Sequence, residues 1–201
     1  MTSLPTLTHA GLIAFEERVK DAFLAQQIHA PVHLSGGNED ALLKIFQEVR
    51  DEDWVFSTWR NHYHALLKGI PPEELFQAIL EGRSMYIQSK EHRFLSSSIV
   101  GGILPIAVGL AMGIQRRGGL EKVWVFIGDM TARTGICHEA KQYARGHQLP
   151  MMFVEEDNGL STNTPTIEVW GNNWEWELDY YKYKYERAFP HVGVGQYVTF
   201  R

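Results

Sequence analysis

Two apolar runs separated by one helical segment constrain the fold of this chain more than any other feature. Residues 121–129 (EKVWVFIGD) and 149–159 (LPMMFVEEDNG) are strongly apolar until each ends in polar residues and Gly. Runs of this kind are typical of strands that are buried on both faces of a parallel sheet. Residues 135–147 (GICHEAKQYARGH) predict a helix between them, so the three segments predict one right-handed βαβ unit.

The remaining sequence predicts helices around this unit. Apolar residues at helical spacing indicate an amphipathic helix over 10–28. Asn38 is the expected N-cap of a second helix over 39–49. Further helices are predicted over 62–69, 73–82 and 99–119, a short buried strand over 54–59, and an irregular polar segment over 83–98. This order favours an α/β fold, a doubly wound, mostly parallel sheet with helices on both faces.

The domain organisation follows from a change of composition near residue 170. We interpret residues 1–170 as one α/β domain with N-terminal helices, and residues 171–201 as a tail dense in aromatic side chains. A disordered tail would hardly carry so many aromatic residues. We therefore expect the tail to pack on the body of the protein or on a partner.

Charge and hydropathy argue against several classes of protein. The formal net charge is −5, whereas nucleic-acid-binding domains usually present a basic face. Lys182 and Lys184 alternate with tyrosines, but acidic residues flank that stripe, so we expect no nucleic-acid partner. No apolar run approaches the roughly 18 residues of a membrane span, and the N-terminus does not resemble a signal peptide. We expect a cytoplasmic protein in which Cys137, the single cysteine, is a buried small apolar residue.

Oxygen-bearing side chains follow both predicted strands. Gly128-Asp129 ends the first strand, and Asp157-Asn158-Gly159 ends the second. The carboxyl ends of neighbouring parallel strands meet at one edge of a sheet, where ligands bind in open α/β folds. A carboxylate with a carboxamide oxygen suits Mg²⁺, and a helix beginning near Thr134 would direct free N–H groups at phosphates. The alternative is that turns simply favour Asp, Asn and Gly.

Several motifs in order resemble one enzyme family. GDM and EDNG at this spacing are similar to the thiamine-diphosphate motif, and VFSTWRNHYHALLKG at 55–69 is similar to a Tyr-Arg-x-His segment. SSSIVGGILPIAVGLAMG at 96–113 and HEAKQYARGHQLPMMFVEEDNGLSTNTPT at 138–166 complete the resemblance. The family is the α subunit of the 2-oxo acid dehydrogenase E1 component, of the pyruvate, branched-chain and acetoin types. The resemblance covers roughly residues 10–170 and implies the diphosphate-binding domain of the thiamine-diphosphate-binding fold.

The resemblance implies a thiamine diphosphate and Mg²⁺ site. Asp129, Asn158 and the backbone carbonyl of Leu160 would coordinate the Mg²⁺. The residues that would contact the cofactor are Trp59, Arg60, Ser98, Ile99, Val100, Gly128, Asp129, Met130, Thr131, Asn158 and Leu160. Arg60 would bind the diphosphate, the alternative being a surface ion pair with Asp51 or Asp53. Ser98, Ile99 and Val100 would lie beside the cofactor rings, the alternative for Val100 being plain core packing.

Histidines and departures from the family pattern complete the site predictions. His62 and His64 are catalytic candidates, near the entrance of the active site in the family, but they would not share one helix face. Met130 replaces the second Gly of the motif, and Asp157 replaces an Asn. The family α subunits continue through a loop with a catalytic His. This sequence has no counterpart of that loop, so we expect a C-terminally short member. His191 is a candidate substitute that rests on its residue type alone.

The resemblance also implies partners and a reaction. The carboxylate that activates the cofactor belongs to a separate β subunit in this family, so we expect an α₂β₂ assembly with its active site at the interface. The expected function is decarboxylation of a 2-oxo acid with transfer of the acyl or aldehyde unit, possible acceptors including a lipoyl domain. The alternatives are a subunit of a transketolase-type or acyloin-type transferase, and a non-catalytic relative that acts as an interaction module.

Overall fold

One six-stranded sheet organises the computed structural model, which describes residues 7–171 and 181–191. The strand order is β2-β3-β1-β4-β5-β8. The strands are β1 Trp54–Ser57, β2 Gln88–Ser89, β3 Phe94–Ser96, β4 Val123–Gly128, β5 Met151–Asp157 and β8 Tyr181–Lys184, while β6 Leu160–Ser161 and β7 Thr164–Pro165 form a separate hairpin. All pairings in the large sheet are parallel except that of β2 with β3 at one edge.

Helices lie on both faces of the sheet, which confirms the predicted α/β class. The helices are α1 His9–Leu24, α2 Glu39–Ile45, α3 His62–Leu67, α4 Pro72–Leu80, α5 Ile103–Arg116, α6 Asp129–Ala132, α7 Gly135–Gly146 and α8 Thr166–Trp170. Side chains alternate across β4, so that Trp124 and Phe126 join a core with α1 to α4. Val123, Val125 and Ile127 join the opposite core with α5 and α7. Cys137 is fully buried in that second core, as predicted.

The register of the two central strands positions the site. β4 and β5 pair in parallel from Val123 opposite Met151 to Gly128 opposite Glu156. Asp129 and Asp157 are the next residues along the two strands, so both reach the carboxyl edge at the same level. The four-residue helix α6 begins at Asp129 itself. The predicted βαβ unit, with α7 as its crossover helix, is therefore present.

The prediction of an irregular segment over 83–98 is wrong. Phe94–Ser96 is a strand inside the sheet, parallel to β1, and Gln88–Ser89 pairs with it at the edge. These strands are two and three residues long, which is too short for an alternating pattern to emerge. Three predicted helices are also too long, among them the second, which ends at Ile45 and not at residue 49. The first ends at Leu24 because Gln26 adopts a φ of 58°, and the apolar one begins at Ile103 because Gly101 adopts a φ of 73°.

Within the described part of the C-terminal tail, Tyr181–Lys184 is a strand of the sheet. β8 pairs in parallel with β5, from Val154 opposite Tyr181 to Asp157 opposite Lys184. Tyr181 and Tyr183 pack against the core beneath α1 to α4, while Lys182 lies 3.1 Å from the carboxylate of Glu155. The alternation of Lys and Tyr is therefore that of a strand with one packed face. Predictions on residues 172–180 and 192–201 lie outside the described residues.

Candidate functional site

A cleft opens at the carboxyl edge where β1, β4 and β5 end. It encloses a cavity of about 40 Å³, which is room for an ion and few waters. The residues that line it are Thr58, Trp59, Arg60, Gly128, Asp129, Met130, Thr131, Glu156, Asn158, Leu160, Ser161, Thr162 and Tyr185. Of the predicted cofactor contacts, all except Ser98, Ile99 and Val100 are among them. The N-terminus of α7 at Thr134 and Gly135 does not line this cavity.

Asp129 has one carboxylate oxygen occupied and one free. Its side chain is buried, and Oδ2 accepts a hydrogen bond from the hydroxyl of Thr166. Oδ1 is also buried and has no hydrogen-bond partner among the described residues. Burial raises the pKa of the Asp129 carboxyl above its ordinary value, although the Thr166 hydroxyl opposes that shift. A buried carboxylate oxygen without a partner is costly unless a ligand completes it.

Asn158 faces Asp129 across the edge of the sheet. Its Oδ1 accepts from the backbone N–H of Leu160 at 3.0 Å, and its Nδ2 donates to the hydroxyl of Tyr185 at 3.0 Å. Burial raises the pKa of Tyr185 to about 12, so its hydroxyl keeps its proton at neutral pH. The turn itself is held by the N–H of Gly159, which donates to Asp157 at 3.1 Å.

The donor set of the cleft fits a hard cation that retains waters. The unpartnered Oδ1 of Asp129, the carboxamide oxygen of Asn158 and nearby backbone carbonyls are the oxygen donors that Mg²⁺ prefers. Among residues 7–171 and 181–191, no three His, Cys, Asp or Glu side chains cluster as a metal site. The chemistry therefore favours a cation bound by few protein ligands over a zinc-type site.

Arg60 brings a buried positive charge to the cleft. Its Nε donates to the carbonyl of Leu34 at 3.3 Å, and a terminal nitrogen lies 3.2 Å from Nδ1 of His191. Burial lowers the pKa of the guanidinium, but an arginine side chain in a protein keeps its positive charge. The alternative of a surface ion pair with Asp51 or Asp53 is wrong, since Asp53 is bound by Arg50 at 2.7 Å.

An aromatic group next to Arg60 went unrecognised in the sequence. His33 and His191 stack with ring centroids 4.4 Å apart and planes 12° from parallel. Trp59 lies 6.1 Å from His33, and its buried indole N–H has no hydrogen-bond partner among the described residues. The signal in the sequence was a His two residues before the SGGN turn at 35–38, a position that no helical or strand period selects.

This histidine pair predicts a loss of stability in mild acid. Burial lowers the pKa of His33 to about 3 and that of His191 to about 4, whereas unfolded histidine titrates near 6.5. Below about pH 6.5 these two histidines therefore become protonated in the unfolded chain. In the folded chain they stay neutral until the pH approaches about 4 for His191 and about 3 for His33. The free energy of unfolding should be highest above pH 6.5 and fall by up to about 1.4 kcal/mol per pH unit for each histidine.

Urea unfolding of the wild-type protein and of a His191→Asn variant between pH 4 and pH 7.5 would measure that slope. Asn places an acceptor where Nδ1 of His191 lies but does not titrate. In the variant, the free energy of unfolding should depend less steeply on pH, by the contribution of one histidine. Identical slopes in both proteins would contradict the buried neutral state of His191.

The two catalytic candidates on α3 lie in the interior. His62 is fully buried, 3.5 Å from Glu16 and 2.9 Å from the hydroxyl of Ser84. His64 is fully buried between Ser57 at 3.1 Å and Glu156 at 3.1 Å. Neither lines the cleft. They diverge to different partners, as their spacing of two on a helix predicts, and a catalytic role for either stays a prediction.

The apolar candidates before α5 are exposed. Ile99 is 71% and Val100 49% exposed, and Ser98 is exposed beside them. Core packing, the alternative for Val100, is therefore wrong. The side chains stand after the carboxyl end of β3, next to but outside the cleft around Asp129.

The two departures from the family motif are compensated locally. The thioether of Met130 accepts a hydrogen bond from the indole N–H of Trp170 at 2.9 Å, which draws that side chain toward α8. The extra carboxylate of Asp157 lies 3.6 Å from Nζ of Lys182. Glu156, which the sequence did not select, adds a carboxylate to the cleft, but His64, Tyr183 and Asn38 all contact its Oε1.

Comparison with known proteins agrees with this arrangement. A family model described as the dehydrogenase E1 component matches residues 9–170. The chain belongs to the dehydrogenase E1 component family. Within this E1 family, it is 31% identical over 160 residues to the α subunit of the acetoin:2,6-dichlorophenolindophenol oxidoreductase of Cupriavidus necator, covering 75% of this chain and 48% of that protein. It is 32% identical over 162 residues to the pyruvate dehydrogenase E1 component subunit α of Zymomonas mobilis, covering 75% and 46%.

The chain thus spans just under half the length of these E1 relatives. A solved structure of a putative thiamin diphosphate-dependent enzyme from Mycobacterium smegmatis shares 24% identity over 58% of this chain and 20% of its own, with a TM-score of 0.40. In the described part of this chain, no helix is long and apolar enough to cross a bilayer.

Proposed function

We propose that this chain is the diphosphate-binding α-type subunit of a two-chain, thiamine-diphosphate-dependent enzyme that decarboxylates a 2-oxo acid and transfers the resulting acyl or aldehyde unit. The observation that carries the proposal is the buried, unpartnered Oδ1 of Asp129 in a cleft shared with Arg60 and Asn158. A cation would take oxygen ligands from Asp129 and Asn158, and a diphosphate bound with it would pair with the guanidinium of Arg60. Membership of the E1 family supports the same assignment.

Asp129, Asn158 and the carbonyl of Leu160 would hold Mg²⁺, which would neutralise the diphosphate. Arg60 would donate charge-assisted hydrogen bonds to the phosphate oxygens. The free indole N–H of Trp59 would donate one more, in the place of a phenol. Thr131 and the backbone of Gly128 and Met130 line the same cavity and would complete the diphosphate site.

Thiamine diphosphate, when bound, would supply the nucleophile and electron sink for decarboxylation of a 2-oxo acid. This chain's share of the work is to bind and orient the diphosphate end. Ser98, Ile99 and Val100, exposed beside the cleft, would support the cofactor rings once a partner covers them. His62 and His64, being buried, would act only through their neighbours.

The active site would be completed by a β-type subunit, in an α₂β₂ assembly. The exposed side chain of Ile106 and the glycines at 109 and 113 share one face of α5, and a Cβ at either glycine would meet nothing within 4 Å. A face of small residues lets another backbone approach closely. Together with Ile99 and Val100 it forms an apolar surface that suits a protein partner.

Titration calorimetry tests this proposal. Thiamine diphosphate is titrated with Mg²⁺, and separately with a chelator, into this chain alone and into the chain with its β-type partner. Saturable binding that requires Mg²⁺ in either setting supports the proposal, and a screen of 2-oxo acids with a lipoyl acceptor then follows. A folded chain that binds no cofactor in either setting would leave the interaction module as the function.

A further inference from the structure

The short helix α8 contacts the aspartate of the cleft through Thr166, which also lines a neighbouring cavity with Asp129 and Asn158. Its first residue, Thr166, is buried, and the backbone N–H of Thr166 donates to the carbonyl of Gly159 at 2.9 Å. The hairpin of β6 and β7 connects Gly159 to Thr166. The hydroxyl of Thr166 is therefore fixed relative to the loop that carries Asn158.

The hydroxyl of Thr166 gives the two carboxylate oxygens of Asp129 different environments. It has one proton, which it donates to Oδ2, so that Oδ2 is turned toward α8. Oδ1 is then the oxygen left without a partner among the described residues. The terminal torsion of an aspartate is broad and roughly two-fold, so a carboxylate without this donor would lack one contact that fixes its plane.

A second contact from the same helix holds the next residue. The indole N–H of Trp170 donates to the thioether of Met130 at 2.9 Å. Asp129 and Met130 are thus both held by α8, through Thr166 and Trp170, which lie about one helical turn apart. The contact with Met130 does not involve Asp129, and together the two contacts tie residues 129 and 130 to α8.

We propose that Thr166 is a positioning residue of the cation site, because its hydroxyl fixes the Asp129 carboxylate with Oδ1 presented to the metal. In this proposal Thr166 acts through Asp129 and is not itself a ligand of the metal. This inference rests on the proposed function, since it assigns a role toward the cation that Asp129 would bind. Loss of such outer partners typically weakens metal binding by about 10- to 100-fold.

Binding of Mn²⁺, a paramagnetic stand-in for Mg²⁺, tests the proposal without any measurement of activity. The free ion is counted by electron paramagnetic resonance in titrations of the full chain, with and without thiamine diphosphate. Thr166→Val keeps the shape of the side chain but removes the hydroxyl, and Thr166→Ser restores the hydroxyl. Thr164→Val, an exposed position in the same hairpin, is the matched control.

The expected result is a dissociation constant for Mn²⁺ about 10- to 100-fold higher in Thr166→Val, with Thr166→Ser and Thr164→Val near the wild-type value. Equal binding by Thr166→Val and the wild-type protein would overturn the role of Thr166 and leave the proposed function standing. No Mn²⁺ binding by the folded wild-type chain, either alone or with its β-type partner, would overturn both. Should Thr166→Val fail to fold, Thr166→Ala is judged by the same criterion, and Thr166→Ser must again bind as the wild type does.

Discussion

Asn in place of Asp129 is expected to weaken cation-dependent binding of thiamine diphosphate by more than about 100-fold. The substitution keeps the size of the side chain but removes its negative charge. An amide can still accept the hydroxyl of Thr166 with its oxygen, which then directs the NH₂ group at the position of the free Oδ1. Loss of an outer partner alone costs about 10- to 100-fold, so loss of the charged ligand should cost more.

The same substitution should leave the cofactor-free protein at least as stable as the wild type. The carboxylate of Asp129 is buried with one oxygen unpartnered, and burial raises its pKa. When folding raises the pKa of a carboxyl, the folded protein becomes less stable as the pH rises through that pKa. At pH 7 the negative charge of Asp129 therefore opposes folding. Asn removes that charge. Opposite effects on ligand binding and on stability distinguish a ligand-binding aspartate from a structural one.

Calorimetry and thermal unfolding of the two proteins, with and without Mg²⁺ and the cofactor, would measure both effects. Asp157→Asn is the matched control, because Asp157 lies at the same level of the sheet but contacts Lys182 and Gly159. Asp157→Asn should bind the cofactor within a few-fold of the wild type. A large loss of cofactor binding in both variants would show that the binding depends on the total negative charge at this edge of the sheet. An Asp129→Asn protein less stable than the wild type would contradict the role of Asp129 as a ligand-binding residue.

The central fold could be predicted because β4 and β5 are long and buried on both faces. Five consecutive residues of β4, Val123–Ile127, are buried, and such a run leaves a clear apolar signal in the sequence. β3 has only three residues, and its placement depends on pairing with β1, which is 39 positions away along the chain. Local pattern carries no information about that pairing. The sequence interpretation therefore found the centre of the sheet and missed one side.

The same division applies to the site. Asp129, Asn158 and Arg60 were predictable because each follows a recognisable strand or belongs to a family motif. Thr166, at the start of α8, contacts Asp129, and Tyr185, directly after β8, contacts Asn158. Both contacts depend on tertiary pairing. His33 reaches Trp59 from a loop with no periodicity. Residues that complete a site from other elements could be found only once the strand order was known.

Ala in place of Phe126 should give the largest loss of stability, about 3–5 kcal/mol. Phe126 is fully buried at the centre of β4, stacked on Phe46 with centroids 5.4 Å apart and 4.5 Å from the ring of His64. The cost is high because the large ring leaves a cavity in a core held between the sheet and the N-terminal helices, where neighbours relax only partly.

Urea unfolding would measure this loss of stability. The control is Leu120→Ala, at a side chain that is 84% exposed just before the strand, and it should change stability by about 0.5 kcal/mol or less. Since β4 also delivers Asp129 to the cleft, Mg²⁺ with thiamine diphosphate should restore part of the lost stability to Phe126→Ala, as expected for ligands that bind only the folded chain. A variant that unfolds at the wild-type urea concentration would show that Phe126 does not support the core that positions the site.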